Sequence, residues 1–374
     1  MKRLSRFVLY ATLVLAVAVS VSSAAKTRNS SEPPVIPIGL DAYRMWEKWP
    51  LLRIGQRTYM RSTYDRRGGN EGADASHFLY QTADDKSVSL DVTGPGVLYF
   101  VRTNHWHGSP WHYIVDGKDN IVQETSTADP LHPAENSVFL PEKQFPNPLT
   151  WTWSVTKGAD LNWVPMAFEK SLQLAYGRTR YGTGYYIYSK FAPGTKTSRP
   201  IKSWTMNDVP AKDVLELINR SGEEIAPKGP TGTISLNPGE TKTVVTLCKN
   251  EAVQAAVIRG LRFTVPTEYA EAFSKARLRI YWDNSKVPSV DAPVALFFGA
   301  GSIYNRENKR DLVKAFPVNI RLEEKEVRFS AYFPMPFLRS AKIELSETQD
   351  KSFGVAWSIW RETYNGPANW VGNF

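Results

Sequence analysis

The chain has 374 residues, of which 42% are hydrophobic, so it is long enough for two globular domains and too apolar to be disordered. Its net charge is +9, but the 46 lysines and arginines are scattered among 37 acidic residues without a basic stripe, which argues against nucleic acid as a partner. The single cysteine, Cys248, excludes an intramolecular disulfide, and the core must therefore stabilise the fold by packing.

Residues 1–25 have the pattern of a signal peptide. Lys2, Arg3 and Arg6 precede an apolar run at 7–21, and small residues follow at 22–25. The alternative is a retained membrane anchor, for which the apolar run is short. We therefore expect a secreted or periplasmic protein, with no membrane association after the signal peptide is removed and a remaining net charge of +6.

Residues 26–60 are predicted to form a linker and a short helical segment. The linker is polar and contains prolines. Residues 40–49 are compatible with one or two helical turns, which Pro50 limits on the C-terminal side.

Residues 61–70 combine charges, an aromatic ring and a flexible backbone. Gly68, Gly69 and Asn70 tolerate positive φ, so the segment can turn sharply. Asp65 lies next to arginines that should keep it ionised, and a fixed carboxylate beside guanidinium donors can grip sugar hydroxyls or an anionic group. The alternative is a surface turn with a local Asp–Arg pair.

Strand patterns follow in series and predict a first β-sandwich over residues 61–228. A Gly-Pro-Gly turn separates strands at 87–92 and 97–102, and strand 111–115 runs into the tight turn Asp116-Gly117. Further strands are predicted at 150–155, 172–176 and 184–189. Helix is scarce, the convincing case being 211–219. Turn-rich stretches at 227–232 and 236–239 predict the boundary to a second β-sandwich over residues 229–374.

Two segments of the first half recur in the second half. Val164-Pro165-Met166-Ala167-Phe168 has a counterpart in Phe333-Pro334-Met335-Pro336-Phe337, and Asp116 aligns with Asp283, at offsets of 169 and 167 residues. Such a period indicates a duplicated β unit. We therefore predict an all-β fold of tandem jelly-roll-like β-sandwiches with few short helices.

A metal site is one interpretation of the histidines. His105 and His107 alternate and would lie on one side of a strand, with His112 or Asp116 as a third ligand. Histidines flanked by aromatic residues more often form local hydrogen bonds, so we predict neither a metal nor a cofactor. The sequence also contains no Gly-x-Ser-x-Gly, phosphate-loop or His-Glu-x-x-His motif.

Carboxylates interspersed with aromatic residues are typical of sugar sites, where rings stack on the sugar and acids act on it. The carboxylates are Asp65, Glu71, Asp74, Asp116, Glu124, Asp283 and Asp291, with Tyr64, Trp106, Trp111, Trp282 and Phe298 as the neighbouring aromatics. For any single ring, the alternative is a place in the core of the sandwich.

Five motifs in order resemble glycoside hydrolase family 172. They are Tyr64-Asp65-Arg66-Arg67-Gly68-Gly69-Asn70, Gly94-Pro95-Gly96, Tyr281-Trp282-Asp283 with the Pro288–Pro293 segment, Leu296-Phe297-Phe298-Gly299 and Tyr332-Phe333-Pro334-Met335-Pro336-Phe337. The resemblance spans residues 61–345, with about 103–260 as additional sequence. It implies jelly-roll sandwiches, trimers or hexamers, and hydrolysis or transfer of α-linked fructofuranosides or arabinofuranosides with retention.

In the resembling family, two catalytic glutamates follow the Pro-Met-Pro-Phe motif. Neither glutamate segment is present after Phe337. We therefore expect a fragment or a shortened form and assign no catalytic residue, because a retaining mechanism needs two carboxyl groups about 5 Å apart.

The resemblance leaves a ligand-gripping role for the 61–70 segment. Asp65 would accept hydrogen bonds from sugar hydroxyls, Arg66 would orient it, Asn70 would add a polar contact, and Trp106 or Phe298 would form an apolar wall, with Tyr64 beside them. We expect an exported carbohydrate-active protein whose partner is an oligo- or polysaccharide. The alternative is a non-catalytic carbohydrate-binding or structural assembly module.

Overall fold

The computed structural model describes residues 32–64, 78–103, 110–125, 135–177, 184–226, 229–248 and 255–374. Antiparallel β-sheets dominate the described residues. The first half contains β1 (Gln56–Ser62), β2 (Tyr80–Gln81), β3 (Lys86–Thr93), β4 (Gly96–Thr103), β5 (Trp111–Val115), β6 (Lys118–Glu124), β7 (Phe139–Leu140), β8 (Thr150–Trp151), β9 (Asp160–Asn162), β10 (Met166–Phe168), β11 (Ser171–Gly177) and β12 (Gly184–Phe191).

The second half contains eleven further strands. They are β13 (Thr231–Leu236), β14 (Thr241–Cys248), β15 (Ala256–Pro266), β16 (Arg277–Trp282), β17 (Val290–Pro293), β18 (Asp311–Lys314), β19 (Val318–Leu322), β20 (Glu326–Ala331), β21 (Met335–Phe337), β22 (Ser340–Ser346) and β23 (Phe353–Thr363). The α-helices within the described residues are short: α1 (Asp41–Arg44), α2 (Trp153–Thr156), α3 (Lys212–Asn219), α4 (Ala270–Lys275) and α5 (Val294–Phe297).

Two sheets form a sandwich in the first half. One has the order β1-β12-β4-β9-β8, with β10 also paired to β4, and the other has the order β2-β3-β11-β5-β6-β7. Alternation along β5 shows why they face each other: Trp111, Tyr113 and Val115 are buried in the core between the sheets, whereas His112 and Ile114 are half-buried.

The second half repeats this strand order. β13-β23-β15-β20 corresponds to β1-β12-β4-β9, and β14-β22-β16-β17 corresponds to β3-β11-β5-β6. In each half, the eight corresponding strands pair as first-eighth-third-sixth and second-seventh-fourth-fifth, which is the order of a jelly roll. The predicted all-β fold of tandem jelly-roll-like sandwiches with few short helices is confirmed.

An aromatic cluster fills the second sandwich. The rings of Phe263, Phe273, Phe298 and Phe329 meet edge to face, with centroids 5.2–6.1 Å apart, and all four side chains are fully buried. Edge-to-face contacts add to the burial of apolar area, so this cluster is a main source of stability for the second half.

The predicted helices are present. α1 and the 3-10 turn Trp46–Lys48 account for the helical turns expected at residues 40–49, and α3 confirms the helix expected at 211–219. The predicted boundary near residue 228 stays a prediction, because residues 227 and 228 lie outside the described part of the chain.

The strand predicted at 150–155 is wrong in its second half. β8 ends at Trp151, and the chain turns into α2 instead. The Asp160 carboxylate accepts a hydrogen bond of 2.8 Å from the Trp153 N–H, which satisfies a donor at the start of that turn. A tertiary contact from nine residues beyond β8 thus overrides the strand pattern.

The N-terminal segment joins the two sandwiches. The ring of Trp46 meets Phe316 edge to face at 5.2 Å, and Trp49 lies 6.2 Å from Phe333. Leu51 forms a β-bridge with Val371, so the segment also pairs with the C-terminal residues. These contacts hold one sandwich beside the other and create a groove between them.

Candidate functional site

The groove lies between the two sandwiches and has a volume of about 560 Å³. We call it the inter-sandwich groove and define it by six of its lining residues: Tyr43, Trp151, Trp163, Asn219, Lys314 and Phe316. Its volume falls within the range of small-molecule sites.

β8 and β9 form the first wall. Asp160 and Asn162 of β9 are buried inside the sandwich, so the intervening Leu161 points to the other face of the sheet, where it pairs in register with Trp151. Trp151 is 38% exposed. Its indole N–H donates a hydrogen bond of 2.9 Å to the Pro148 carbonyl, which fixes the ring beside the opening.

Tyr43 and Trp163 extend the aromatic surface. The Tyr43 hydroxyl donates a hydrogen bond of 2.7 Å to the Trp163 carbonyl, and burial raises the pKa of this hydroxyl. Trp163 also packs on Phe100 with ring centroids 5.0 Å apart. Both rings are therefore held in place before any ligand binds.

The opposite side comes from the second sandwich. The end of β18 supplies Lys314, and the buried Phe316 follows it. Asn219 and Ser221, at the end of α3, close the groove between the two walls. The site thus draws on both sandwiches and on the segment that links them.

This set of groups can bind a polar ligand without cleaving it. Aromatic faces and side-chain amides suit the apolar faces and hydroxyls of a sugar. No aspartate or glutamate lines the groove among the described residues, and Lys314 is the one charged residue there. The described part of the groove thus offers no carboxyl pair of the kind that glycoside hydrolysis requires.

Two buried acids, one from β9 and one from β6, lie inside the first sandwich. Asp160 and Glu124 are each 1% exposed. Burial raises the pKa of Asp160 to about 8, and the nearby charge of Glu124 contributes. Asp160 Oδ2 has no hydrogen-bond partner among the described residues. These acids are separated from the inter-sandwich groove by the sheet, so they cannot act on a ligand bound there.

Most of the predicted substrate-binding residues lie outside the described residues. These are Asp65, Arg66, Asn70 and Trp106. Tyr64 is the last described residue before one of these gaps and is 56% exposed, so it can contact a ligand. Their roles in binding stay predictions.

The expectation that Phe298 forms an apolar wall for a ligand needs correction. Phe298 is fully buried and packs on Phe263, Phe297 and Phe329 in the core of the second sandwich. An aromatic cluster of this kind leaves no face of the ring for a sugar.

Two other candidate acids have structural roles. The Asp116 carboxylate accepts hydrogen bonds from the backbone N–H groups of Glu169, Lys170 and Ser171. Burial alone would raise the pKa of Asp116, but the Ser203 hydroxyl and these N–H groups lower it on balance. Asp291 pairs with Arg277 and Arg279 at the surface. Neither acid is placed to act on a substrate in the groove.

The histidine interpretation receives no support from the described residues. His105 and His107 lie outside them. His112 Nδ1 lies 2.7 Å from Asp119 Oδ2, which is a local hydrogen bond. Among the described residues, no group of three His, Cys, Asp or Glu side chains is placed to hold a metal ion.

No sequence pattern marks Trp151, Trp163 or Lys314 as part of a site. Trp151 and Lys314 are 163 residues apart, and neither belongs to a motif. Their proximity depends on the packing of the two sandwiches, which no local pattern predicts.

A family model described as GH172 domain-like matches residues 227–357. The resemblance expected from the motifs is thus confirmed for this part of the chain, which covers the second sandwich from β13 into β23. No match was found among curated proteins. Within the described residues, no helix is long and apolar enough to cross a membrane.

Two solved structures illustrate the more distant similarities. The major capsid protein P2 from bacteriophage PM2 is 8% identical, with 81% of this chain and 98% of that chain covered and a TM-score of 0.16. Vicilin from Solanum lycopersicum (tomato) is 8% identical, with 85% and 86% covered and a TM-score of 0.13. The jelly-roll assignment above is based on strand order alone.

Proposed function

We propose that this chain, whose residues 227–357 match a GH172 domain-like model, is a carbohydrate-active protein related to glycoside hydrolases that binds a glycan in the inter-sandwich groove. The observation that carries the proposal is the position of Trp151: a part-exposed indole held by a hydrogen bond in a groove lined by aromatic rings and amides. Aromatic side chains with a polar handle are enriched at binding surfaces of this kind.

The ligand class follows from the resembling family. We propose a glycan with α-linked arabinofuranosyl or fructofuranosyl residues. The groove supports binding without cleavage, because its described lining residues include no carboxylate. Hydrolysis by the chain would need acids from another part of the molecule or from a partner subunit in the trimer or hexamer that the resemblance implies.

The experiment is calorimetric titration of the chain with arabinofuranosyl and fructofuranosyl oligosaccharides, beside a release assay on chromogenic α-furanosides. We expect binding without release. Trp151→Ala should weaken binding at least tenfold, because truncating an aromatic side chain that the bound ligand covers costs about 2 kcal/mol or more. Tyr304→Ala is the control, since Tyr304 is exposed and does not line the groove.

The alternative location for the ligand is the 61–70 segment. Asp65→Ala should abolish binding if that segment grips the sugar, and should leave it unchanged if the groove is the sole site. Loss of affinity in both Asp65→Ala and Trp151→Ala would indicate one extended surface. Absence of binding to every furanoside tested would refute the proposal.

Export and assembly are parts of the same proposal. The signal-peptide pattern of residues 1–25 supports a secreted or periplasmic localisation. N-terminal sequencing of the protein recovered from outside the cytoplasm tests it, with cleavage expected near residue 25. Light scattering on the purified chain tests the trimer or hexamer. A monomer would contradict the predicted assembly, and the groove would then be a binding site formed by one chain.

A further inference from the structure

We propose that the inter-sandwich groove selects glycans that carry an acidic substituent, and that Lys314 is the residue that recognises it. This inference rests on the proposed function, because it assigns the ligand class of the same groove. Two observations support it: the positive charge of the groove comes from Lys314, and the Lys314 side chain packs against the turn at Gly222.

Lys314 is exposed and is the one charged residue among the described residues that line the groove, and its ammonium group makes no ion pair or hydrogen bond with any described residue. Neighbouring cations do have partners. Arg321 Nε lies 2.9 Å from Asp311 Oδ1, and Arg44 Nε lies 2.5 Å from Asp213 Oδ2. The positive charge of Lys314 is therefore the one that remains available inside the groove.

The aliphatic part of the Lys314 side chain packs against the turn at Gly222, where the absence of a side chain leaves space for it. Gly222 has a φ of +84°, and a Cβ at that position would lie 3.0 Å from Lys314 Cγ and 3.4 Å from Lys314 Cε. The Gly222 carbonyl accepts a hydrogen bond from Arg321 Nη2, which fixes the turn. The missing side chain at residue 222 thus lets the lysine stem lie against the backbone.

A cation beside aromatic faces suits a sugar with a negative charge. The rings of Trp151 and Trp163 would take the apolar faces of the ligand, and the ammonium group would pair with the acid. A cleft concentrates the field of such a charge, so the preference should exceed that of a lysine on an open surface. The acid is the carboxylate of a uronic acid or a sulfate ester, and the experiment distinguishes the two.

The test is calorimetric titration with three matched oligosaccharides: a neutral arabino-oligosaccharide, one with a glucuronic acid branch and one with a sulfate ester. We expect the wild-type chain to bind an acidic glycan about tenfold more tightly than the neutral one, as a charge-assisted hydrogen bond allows. Whichever acidic glycan binds more tightly identifies the substituent.

Lys314→Gln should reduce the affinity for the acidic glycan about tenfold and leave that for the neutral glycan unchanged. Added salt should weaken acidic binding in the wild type and have little effect in the variant. The control is Lys212→Gln, because Lys212 is exposed on α3 and does not line the groove.

The outcomes separate this inference from the proposed function. Equal wild-type affinities for neutral and acidic glycans, or an unchanged preference in Lys314→Gln, would overturn the role of Lys314. The proposed function would stand if Trp151→Ala still weakened glycan binding at least tenfold. Failure of every glycan to bind would overturn both. Tighter binding of an acidic peptide than of any glycan would overturn the glycan as the ligand.

Discussion

Asp116 and Asp283 have the same structural role in the two sandwiches. Each follows the strand that is fourth in its jelly roll, and each has a positive φ, of 50° and 54°. The Asp116 backbone N–H donates to the Ser171 carbonyl at 2.9 Å, and that of Asp283 donates to the Ser340 carbonyl at 2.7 Å. The internal repeat therefore extends from sequence to backbone geometry.

The carboxylates of the two aspartates act alike as well. Asp116 accepts hydrogen bonds from the three N–H groups that lead into β11. Asp283 accepts them from Leu338, Arg339 and Ser340, which lead into β22. In each half, a residue from the segment after the last strand of the jelly roll also contacts this aspartate. Ser203 donates to Asp116, and Asn373 Nδ2 lies 3.4 Å from Asp283 Oδ2.

Removing this carboxylate should destabilise the second sandwich. Asp283→Ala leaves three backbone N–H groups without their acceptor, so we expect a loss of about 1–3 kcal/mol in the free energy of unfolding. Asp283→Asn should cost less, because asparagine tolerates positive φ and keeps one acceptor oxygen. Urea unfolding followed by tryptophan fluorescence measures both variants.

Asp350→Ala is the matched control for the backbone conformation. Asp350 also has a φ of 54°, and its side chain makes no hydrogen bond with a described residue. The difference in the free energy of unfolding between Asp283→Ala and Asp350→Ala therefore measures the contribution of the hydrogen bonds that the Asp283 carboxylate accepts. Equal losses in both would show that positive φ, and not the accepted hydrogen bonds, accounts for the effect.

Stability should fall as the pH rises from about 4 to about 8 because of Asp160. Its folded-state pKa of about 8 lies above the unfolded value, so the fold favours the protonated acid. This contribution is fully present below the unfolded pKa and is lost as the pH rises through the folded pKa. Between the two values, the free energy of unfolding should decline by about 1.4 kcal/mol for each pH unit.

Asp160→Asn separates this contribution from that of other groups. The amide does not titrate, so the variant should lose less stability than the wild type between pH 5 and pH 8.5. Glu135→Gln, at an exposed position, should follow the wild type. Parallel pH profiles for the wild type and Asp160→Asn would contradict a protonated Asp160. Thermal unfolding at four or five pH values supplies the comparison.

The buried position of Phe298 predicts an effect on stability and none on ligand binding. Phe298→Ala should cost about 3–5 kcal/mol, because it leaves a cavity among Phe263, Phe297 and Phe329. Phe298→Leu should remain folded, and its glycan affinity should equal that of the wild type. Weaker binding by a folded Phe298→Leu would restore the ring as a candidate ligand contact.

Much of the fold could be predicted from local pattern because several strands, such as β5 and β16, alternate between buried and half-buried residues. In β16, Leu278, Ile280 and Trp282 are buried and the residues between them are half-buried, as period-two alternation requires. The tight turns at Asp116 and Asp283 were also visible in the sequence. The strand at 150–155 was wrong because the Asp160 carboxylate, which local pattern does not reveal, caps the turn that begins at Trp153.

The site was harder to predict than the fold. Composition shows that aromatic residues are abundant, but it does not show which rings face solvent. Phe298 and Trp151 are both aromatic residues in segments rich in other aromatic residues, so the sequence does not distinguish them. In the structure, Phe298 is fully buried in the core of the second sandwich, whereas Trp151 is 38% exposed at the groove. Lys314 of β18 joins the site only because the two sandwiches lie side by side, so that β18 and β9 line the same groove.

Gly222→Ala tests whether the turn positions the lysine. An alanine at a φ of +84° is strained, and its Cβ would contact Lys314 Cγ at 3.0 Å, so the stem must move. We expect a loss of about 1 kcal/mol in stability. We also expect weaker binding of acidic glycans than in the wild type, with binding of neutral glycans preserved.

Gly239→Ala provides the comparison that this prediction needs. Gly239 also has a positive φ, of +67°, but a Cβ there would meet no atom within 4 Å. Both variants should lose similar stability from backbone strain, and only Gly222→Ala should lose the preference for acidic glycans. If both variants kept that preference, Lys314 would bind its ligand without help from the turn, because the flexible stem would reach the same place by another path. Calorimetric titration with neutral and acidic oligosaccharides decides between these results.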